Sequence, residues 1–200
     1  MIQTNNKQIQ FKNYLQYAQA VTRTLEREGE KSDVGHMGLG MLTEFLELRK
    51  AVRNNDLVNV VEEIGDLNWY CANHLQLYFN EKDPIWSELT KIYFLPQSSL
   101  LSIDDQMLYI EIKLERYADV CKKLFAYGQY VTDYYEEIKD LNLAIHQAAA
   151  AILLTLNIIP HEALNKNITK LYKRYPVKFD SFLAMNRDLV QEFEVLSKDL

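Results

Sequence analysis

Four carboxylates stand in two pairs on either side of a short turn, and their spacing constrains the fold more than any other feature. Glu44 and Glu47 lie three residues apart in Leu42-Thr43-Glu44-Phe45-Leu46-Glu47-Leu48, and Glu63 and Asp66 three apart in Val61-Glu62-Glu63-Ile64-Gly65-Asp66-Leu67. Residues i and i+3 share a helix face. Between the pairs, Arg53-Asn54-Asn55-Asp56 has turn chemistry. Folding back there as an antiparallel hairpin brings all four acids to one spot. Two like charges at ~4 Å repel by about 1 kcal/mol in water and about 4 kcal/mol at an effective dielectric of 20. Acids gathered among Leu, Val, Ile and Trp therefore need a cation. An all-oxygen carboxylate set selects a hard ion, Mg²⁺ first, with Mn²⁺ as a substitute.

Helical periodicity dominates the rest of the chain, which has only six glycines and four prolines in 200 residues. Helices are expected at roughly 7–28, 35–54, 56–79, 106–127, 130–157, 161–173 and 179–198, the second capped by Ser32 or Asp33. Pro160 suits a helix start and Pro176 a helix stop. The segment 80–105 holds Pro84, Pro96 and Ser98-Ser99 and reads as irregular. It also carries Trp86, Tyr93 and Phe94, so it is expected to pack on a surface.

An internal repeat emerges when the halves are aligned. Glu62-Glu63-Ile64-Gly65-Asp66-Leu67-Asn68 matches Glu136-Glu137-Ile138-Lys139-Asp140-Leu141-Asn142 at every position but one. Sliding the preceding helix by a two-residue gap sets Glu47 on Asp119 and Glu44 on Arg116. The fold expected is all-α: a four-helix-bundle core of two antiparallel hairpins, the second a degenerate copy of the first, with N- and C-terminal helices. It forms a single domain over 1–200, with halves at about 32–80 and 106–157, a connecting segment at 80–105, and C-terminal helices at 160–198.

Bulk properties narrow the partners. Hydrophobic residues at 48% exclude a disordered chain, and a net charge of −6 with no basic stretch argues against nucleic acid. The longest apolar run, Ala148 to Leu156, is far short of the ~20 residues of a membrane span, so no membrane partner is expected. Met1 to Lys7 is polar and is no signal peptide. Cys71 and Cys121 have neither metal spacing nor a catalytic motif and read as reduced thiols of a cytoplasmic protein. His74, His146 and His161 lack a Glu three residues earlier, which removes the di-iron Glu-x-x-His pattern.

The acids, their spacing and their flanks resemble the all-α nucleoside triphosphate pyrophosphohydrolases, the MazG-like superfamily. Its signature of Glu-x-x-Glu on one helix and Glu-x-x-Asp on the next reads here as Glu44-x-x-Glu47 and Glu63-x-x-Asp66. His36-Met37-Gly38-Leu39-Gly40-Met41 and Leu67-Asn68-Trp69-Tyr70 are similar to the flanks of the bacterial and phage branch. So are Asn167 to Pro176 and Asn186-Arg187-Asp188 near the C-terminus. The resemblance covers about 32–80 and 160–190, with a weaker middle. It implies that Mg²⁺ on Glu44, Glu47, Glu63 and Asp66 grips a nucleoside triphosphate and that water attacks the α-phosphorus. A nucleoside monophosphate and pyrophosphate then leave. One acid remains free to orient or deprotonate the water.

Lys170 and Arg174 are expected on the outer phosphates. Asn167, on the same helix face, is expected on a phosphate, the ribose or a metal-bound water. His36 is a substrate-binding candidate, with a capping or core role as the alternative. Glu62 is expected to face solvent, and Trp69 and Tyr70 to belong to the core. Arg116 stands where an intact second site would hold a glutamate, so Glu137, Asp140 and Asp119 are expected to be structural and the halves to form a pseudo-dimer with one working site. A homodimer or higher homo-oligomer is expected. The rival readings are a narrower dUTPase or dCTPase and a helical interaction module without catalysis.

Overall fold

A computed structural model describes residues 10–97, 99–177, 179–198 and 200. Every regular element among them is helical. The first seven helices are α1 (Tyr14–Val21), α2 (Glu30–Arg53), α3 (Leu57–Tyr78), α4 (Ile85–Phe94), α5 (Ile103–Tyr127), α6 (Tyr135–Thr155) and α7 (Pro160–Arg174). The short α8 (Ser181–Met185) and α9 (Leu189–Ser197) follow, and 3-10 turns lie at Thr22–Thr24 and Val131–Asp133. No single helix is long and apolar enough to cross a membrane.

The turn between the acid pairs is built as its residues dictate. α2 ends at Arg53, Asn55 takes a left-handed φ of 54°, and the Asp56 side chain accepts the Asn59 amide at 3.2 Å to start α3. Asparagine tolerates that conformation better than other residues with a Cβ, and an aspartate cap satisfies one of the free amides of the new helix. A capping box formed by Ser102 and Asp105 starts α5, and Gly128 at φ 63° ends it. Pro160 opens α7.

Four expectations need correction. The helix read over 7–28 is regular only over Tyr14–Val21, and its residues 7–9 lie outside the described residues. Thr22 and Thr24 turn their hydroxyls onto the carbonyls of Ala18 and Val21, which competes with the helix, and Gly29 at φ 134° breaks the chain before α2. α2 itself starts at Glu30, before Ser32 and Asp33. Ser32 bonds the Glu28 side chain, and Asp33 accepts the Glu28 amide. The segment 80–105 is not irregular, because it contains α4. Ile85, Trp86, Leu89 and Tyr93 are all buried at helical spacing, each contributing about 1.5–3 kcal/mol on burial. The flanking prolines bound this helix without interrupting it. Finally, the C-terminal helix is two, separated at Asn186–Asp188, where Asp188 caps α9.

α3 is central. It runs against α2, α1 and α7, and its buried positions lie on nearly every side. α5 packs along α6 and also along α2, antiparallel, since Gly38 faces Cys121 while Arg49 pairs with Glu111 at 3.1 Å. Asn68 in α3 and Asn142 in α6 are both fully buried, and each donates to the carbonyl four residues earlier at 2.7 Å. His74 and His146 are fully buried, and burial pushes both rings down to about 3, so they are neutral core groups. His74 bonds the Tyr117 hydroxyl, and His146 lies between Tyr14 and Tyr93.

Candidate metal centre

Glu44 on α2 and Glu63 and Asp66 on α3 each place a carboxylate oxygen within 4.8 Å of the other two. Glu63 is buried, while Glu44 and Asp66 are half-buried. Burial and the neighbouring Asp66 charge push both glutamates well above the ordinary carboxylate value of 4.5, Glu63 furthest. Without a cation, the pair thus holds protons that ordinary carboxylates would lose. Glu47 lies outside this trio. It is exposed and lines the same cleft.

Asp66 is held by a buried frame. Its Oδ1 accepts from Asn167 Nδ2 and its Oδ2 from Lys170 Nζ, both at 2.6 Å. The Tyr17 hydroxyl donates to Asn167 Oδ1 at 3.1 Å, which leaves the amide nitrogen aimed at Asp66. Lys170 is fully buried and also donates to Glu62 at 3.1 Å. Burial alone would lower the Lys170 ammonium, but the charges of Asp66 and Glu62 outweigh it and hold it above its ordinary value. α7 comes this close because Gly65 has no side chain: a Cβ there would lie 2.7 Å from Asn167 Cβ.

The centre opens into a cleft of about 1230 Å³. In its lining His36 sits edge-on to Tyr70 at 5.6 Å and to Trp69 at 6.4 Å. A Cβ at Gly40 would overlap the Tyr70 ring at 2.1 Å, so that glycine gives the ring its seat. Trp69 donates from Nε1 to Thr24 at 2.6 Å. Trp69 and Tyr70 are half-buried and packed against the core, as the sequence reading placed them, and they also line the cleft.

The C-terminal residues form a second layer. Arg174 makes two bonds to the buried Glu192, Nε at 2.7 Å and Nη2 at 2.6 Å. Arg187 Nη2 bonds Glu62 at 2.9 Å and Glu192 at 2.6 Å. Glu62, read as solvent-facing, is instead enclosed between Lys170 and Arg187, its side chain 15% exposed. Nothing local in its helix signals this, because its partners come from α7 and from beyond α8. Of the proposed substrate contacts, the structure brings Asn167 and Lys170 onto Asp66 and Arg174 onto Glu192. His36 stays exposed in the cleft. The sequence reading missed Tyr17, Arg187 and Glu192 as parts of the site, since each meets it across more than a hundred residues or through a helix end.

At the repeat-equivalent positions Arg116 makes two bonds to Glu137, at 2.5 and 2.9 Å, and one to Asp119 at 2.8 Å. Lys122 and Lys123 also pair with Asp119, and Asp140 is exposed. Among the described residues these acids form no second carboxylate cluster of the kind at Glu44, Glu63 and Asp66. No protein-family model, curated protein or solved structure matches the chain.

Proposed function

We propose that this protein is an Mg²⁺-dependent nucleoside triphosphate pyrophosphohydrolase, cutting its substrate into a nucleoside monophosphate and pyrophosphate. The observation that carries the reading is the convergence of Glu44, Glu63 and Asp66 within 4.8 Å in a large cleft that aromatic rings and arginines also line. The donors fit the ion: all are oxygens, Glu63 is buried, and the raised affinity of Glu44 and Glu63 for protons is what a carboxylate set without its counter-charge displays. Mn²⁺ suits the same set. Bound Mg²⁺ supplies charge neutralisation for the triphosphate and the departing pyrophosphate.

The chain's own groups do the rest. Glu44, Glu63 and Asp66 hold the ion, and Asn167 and Lys170 fix the Asp66 carboxylate. Glu47, free of the trio and open to the cleft, orients the attacking water and takes its proton. His36, Trp69 and Tyr70 face the base. In this reading the core is a four-helix bundle of two hairpins, α2–α3 and α5–α6, related by a degenerate repeat. The matching bonds of Asn68 and Asn142 support it, as does Arg116 in place of the fourth acid.

The test is a screen of the common ribo- and deoxyribonucleoside triphosphates with Mg²⁺, following pyrophosphate release. Equal amounts of monophosphate and pyrophosphate are expected. A diphosphate with orthophosphate would contradict the assignment, and turnover confined to one pyrimidine would identify the narrower dUTPase or dCTPase.

A further inference from the structure

We propose that Arg187 is the residue that receives the outer phosphates of the nucleotide, exchanging its bond to Glu62 for them. This rests on the reading of the cleft as a triphosphate site. Mg²⁺ leaves part of a triphosphate's charge uncompensated, so the far phosphates need a protein cation. Four cations adjoin the centre. Lys170 has no exposed surface and is committed to Asp66 and Glu62. The Arg174 side chain is 13% exposed, with Nε and Nη2 both committed to Glu192. Lys50 lines the cleft from α2 and is exposed, with no ion pair among the described residues to hold its ammonium in place. The Arg187 side chain is 38% exposed and lines the cleft, and its Nη1 makes no hydrogen bond among the described residues.

The bonding pattern also leaves Arg187 able to move. Each of its carboxylate partners has another cation. Glu62 keeps Lys170 at 3.1 Å, and Glu192 keeps both bonds to Arg174. Arg187 can therefore turn toward the cleft without leaving a buried charge unpaired, which costs several kcal/mol where it happens. Moving Lys170 would strip Asp66 of its ammonium, and Arg174, though its partner Glu192 also keeps a second cation, has only 13% of its side chain exposed from which to reach the cleft. Arg187 is also well placed. Glu62 and Asp66 are four apart on α3, so a guanidinium on Glu62 stands about one helix turn from the metal-binding carboxylate. Its planar fork matches phosphate oxygens in a bidentate manner. Glu192, with a bond to Arg187 Nε at 3.1 Å, serves as the pivot.

Calorimetric titration of Mg²⁺ alone, then of inorganic tripolyphosphate with Mg²⁺, into the full chain tests this without knowledge of the base. The wild type should bind the tripolyphosphate. Arg187→Ala should weaken that binding about 10- to 100-fold, the loss of a charged hydrogen-bonding group. Arg187→Lys should recover part of it. Mg²⁺ affinity without phosphate and the melting temperature should not change. Lys50→Ala should lose less than Arg187→Ala. If Arg187→Ala melts early, Arg187→Gln carries the same comparison. Normal tripolyphosphate binding by the Arg187 variants, or an equal loss in Lys50→Ala, would overturn the proposal. A wild type that binds no tripolyphosphate would instead overturn the reading of the cleft, and this inference with it.

Discussion

Asp66 has one neighbour on each oxygen, Asn167 on Oδ1 and Lys170 on Oδ2, and each oxygen keeps a lone pair for a cation. Groups that orient a metal ligand matter almost as much as the ligand itself, typically 10- to 100-fold in affinity or activity. Asn167→Ala should therefore lower kcat/KM about 10-fold or more, and Tyr17→Phe by less, since Tyr17 acts only through Asn167. Steady-state kinetics with unchanged circular dichroism checks both. Glu44 and Glu63 make a separate prediction. Their folded-state affinities for protons exceed the unfolded value of 4.5, so the native state binds more protons than the unfolded one. The stability they contribute is complete below that value and is lost as pH rises through their folded-state values, about 1.4 kcal/mol per pH unit for each proton retained. In chelator, Glu63→Gln should thus be close to wild type at about pH 5 and more stable than wild type at about pH 8. Denaturation at the two pH values measures this, and a variant less stable at the higher value would contradict it. Mg²⁺ binding should release protons and tighten as pH rises.

At the scale of elements, the contact of α3 with α7 sets the geometry of the centre, and Gly65 permits it. Gly65→Ala places a Cβ 2.7 Å from Asn167 Cβ, an atom fixed directly to the α7 backbone, so α7 must move off Asp66. A loss of about 1–3 kcal/mol is expected by thermal or urea denaturation, with activity falling further than stability alone explains. The same contact separates what the chain's local pattern reveals from what it hides. The hairpin of α2 and α3 is legible because Asn54-Asn55-Asp56 carries its own turn and cap, and the acids repeat at the spacing of a helix face. α4 is hidden because prolines at 84 and 96 look like breakers, although here they bound a helix. The end of α1 is hidden in the hydrogen bonds of two threonines. Glu62 and Glu63 are adjacent acids, and periodicity put only the second in the site. Lys170 and Arg187 draw the first in as well, from 108 and 125 residues away, a distance no local pattern spans.

For the whole molecule, the second hairpin reads as the structural half. Arg116 neutralises Glu137 and Asp119, whereas in the first hairpin Glu44 and Glu63 make no salt bridge among the described residues. Glu137→Gln and Asp140→Asn should therefore reduce turnover far less than Glu63→Gln and Asp66→Asn, and equal losses would mean that both halves supply the site. The central claim is the attack of water on the α-phosphorus at the Glu44, Glu63 and Asp66 centre. Digesting a nucleoside triphosphate with Mg²⁺ in heavy-oxygen water, and weighing the products by mass spectrometry, tests it most directly. The account predicts the heavy label in the nucleoside monophosphate, unlabelled pyrophosphate, and no product from Glu63→Gln. A nucleoside diphosphate, label in the pyrophosphate, or undiminished turnover by Glu63→Gln would contradict it.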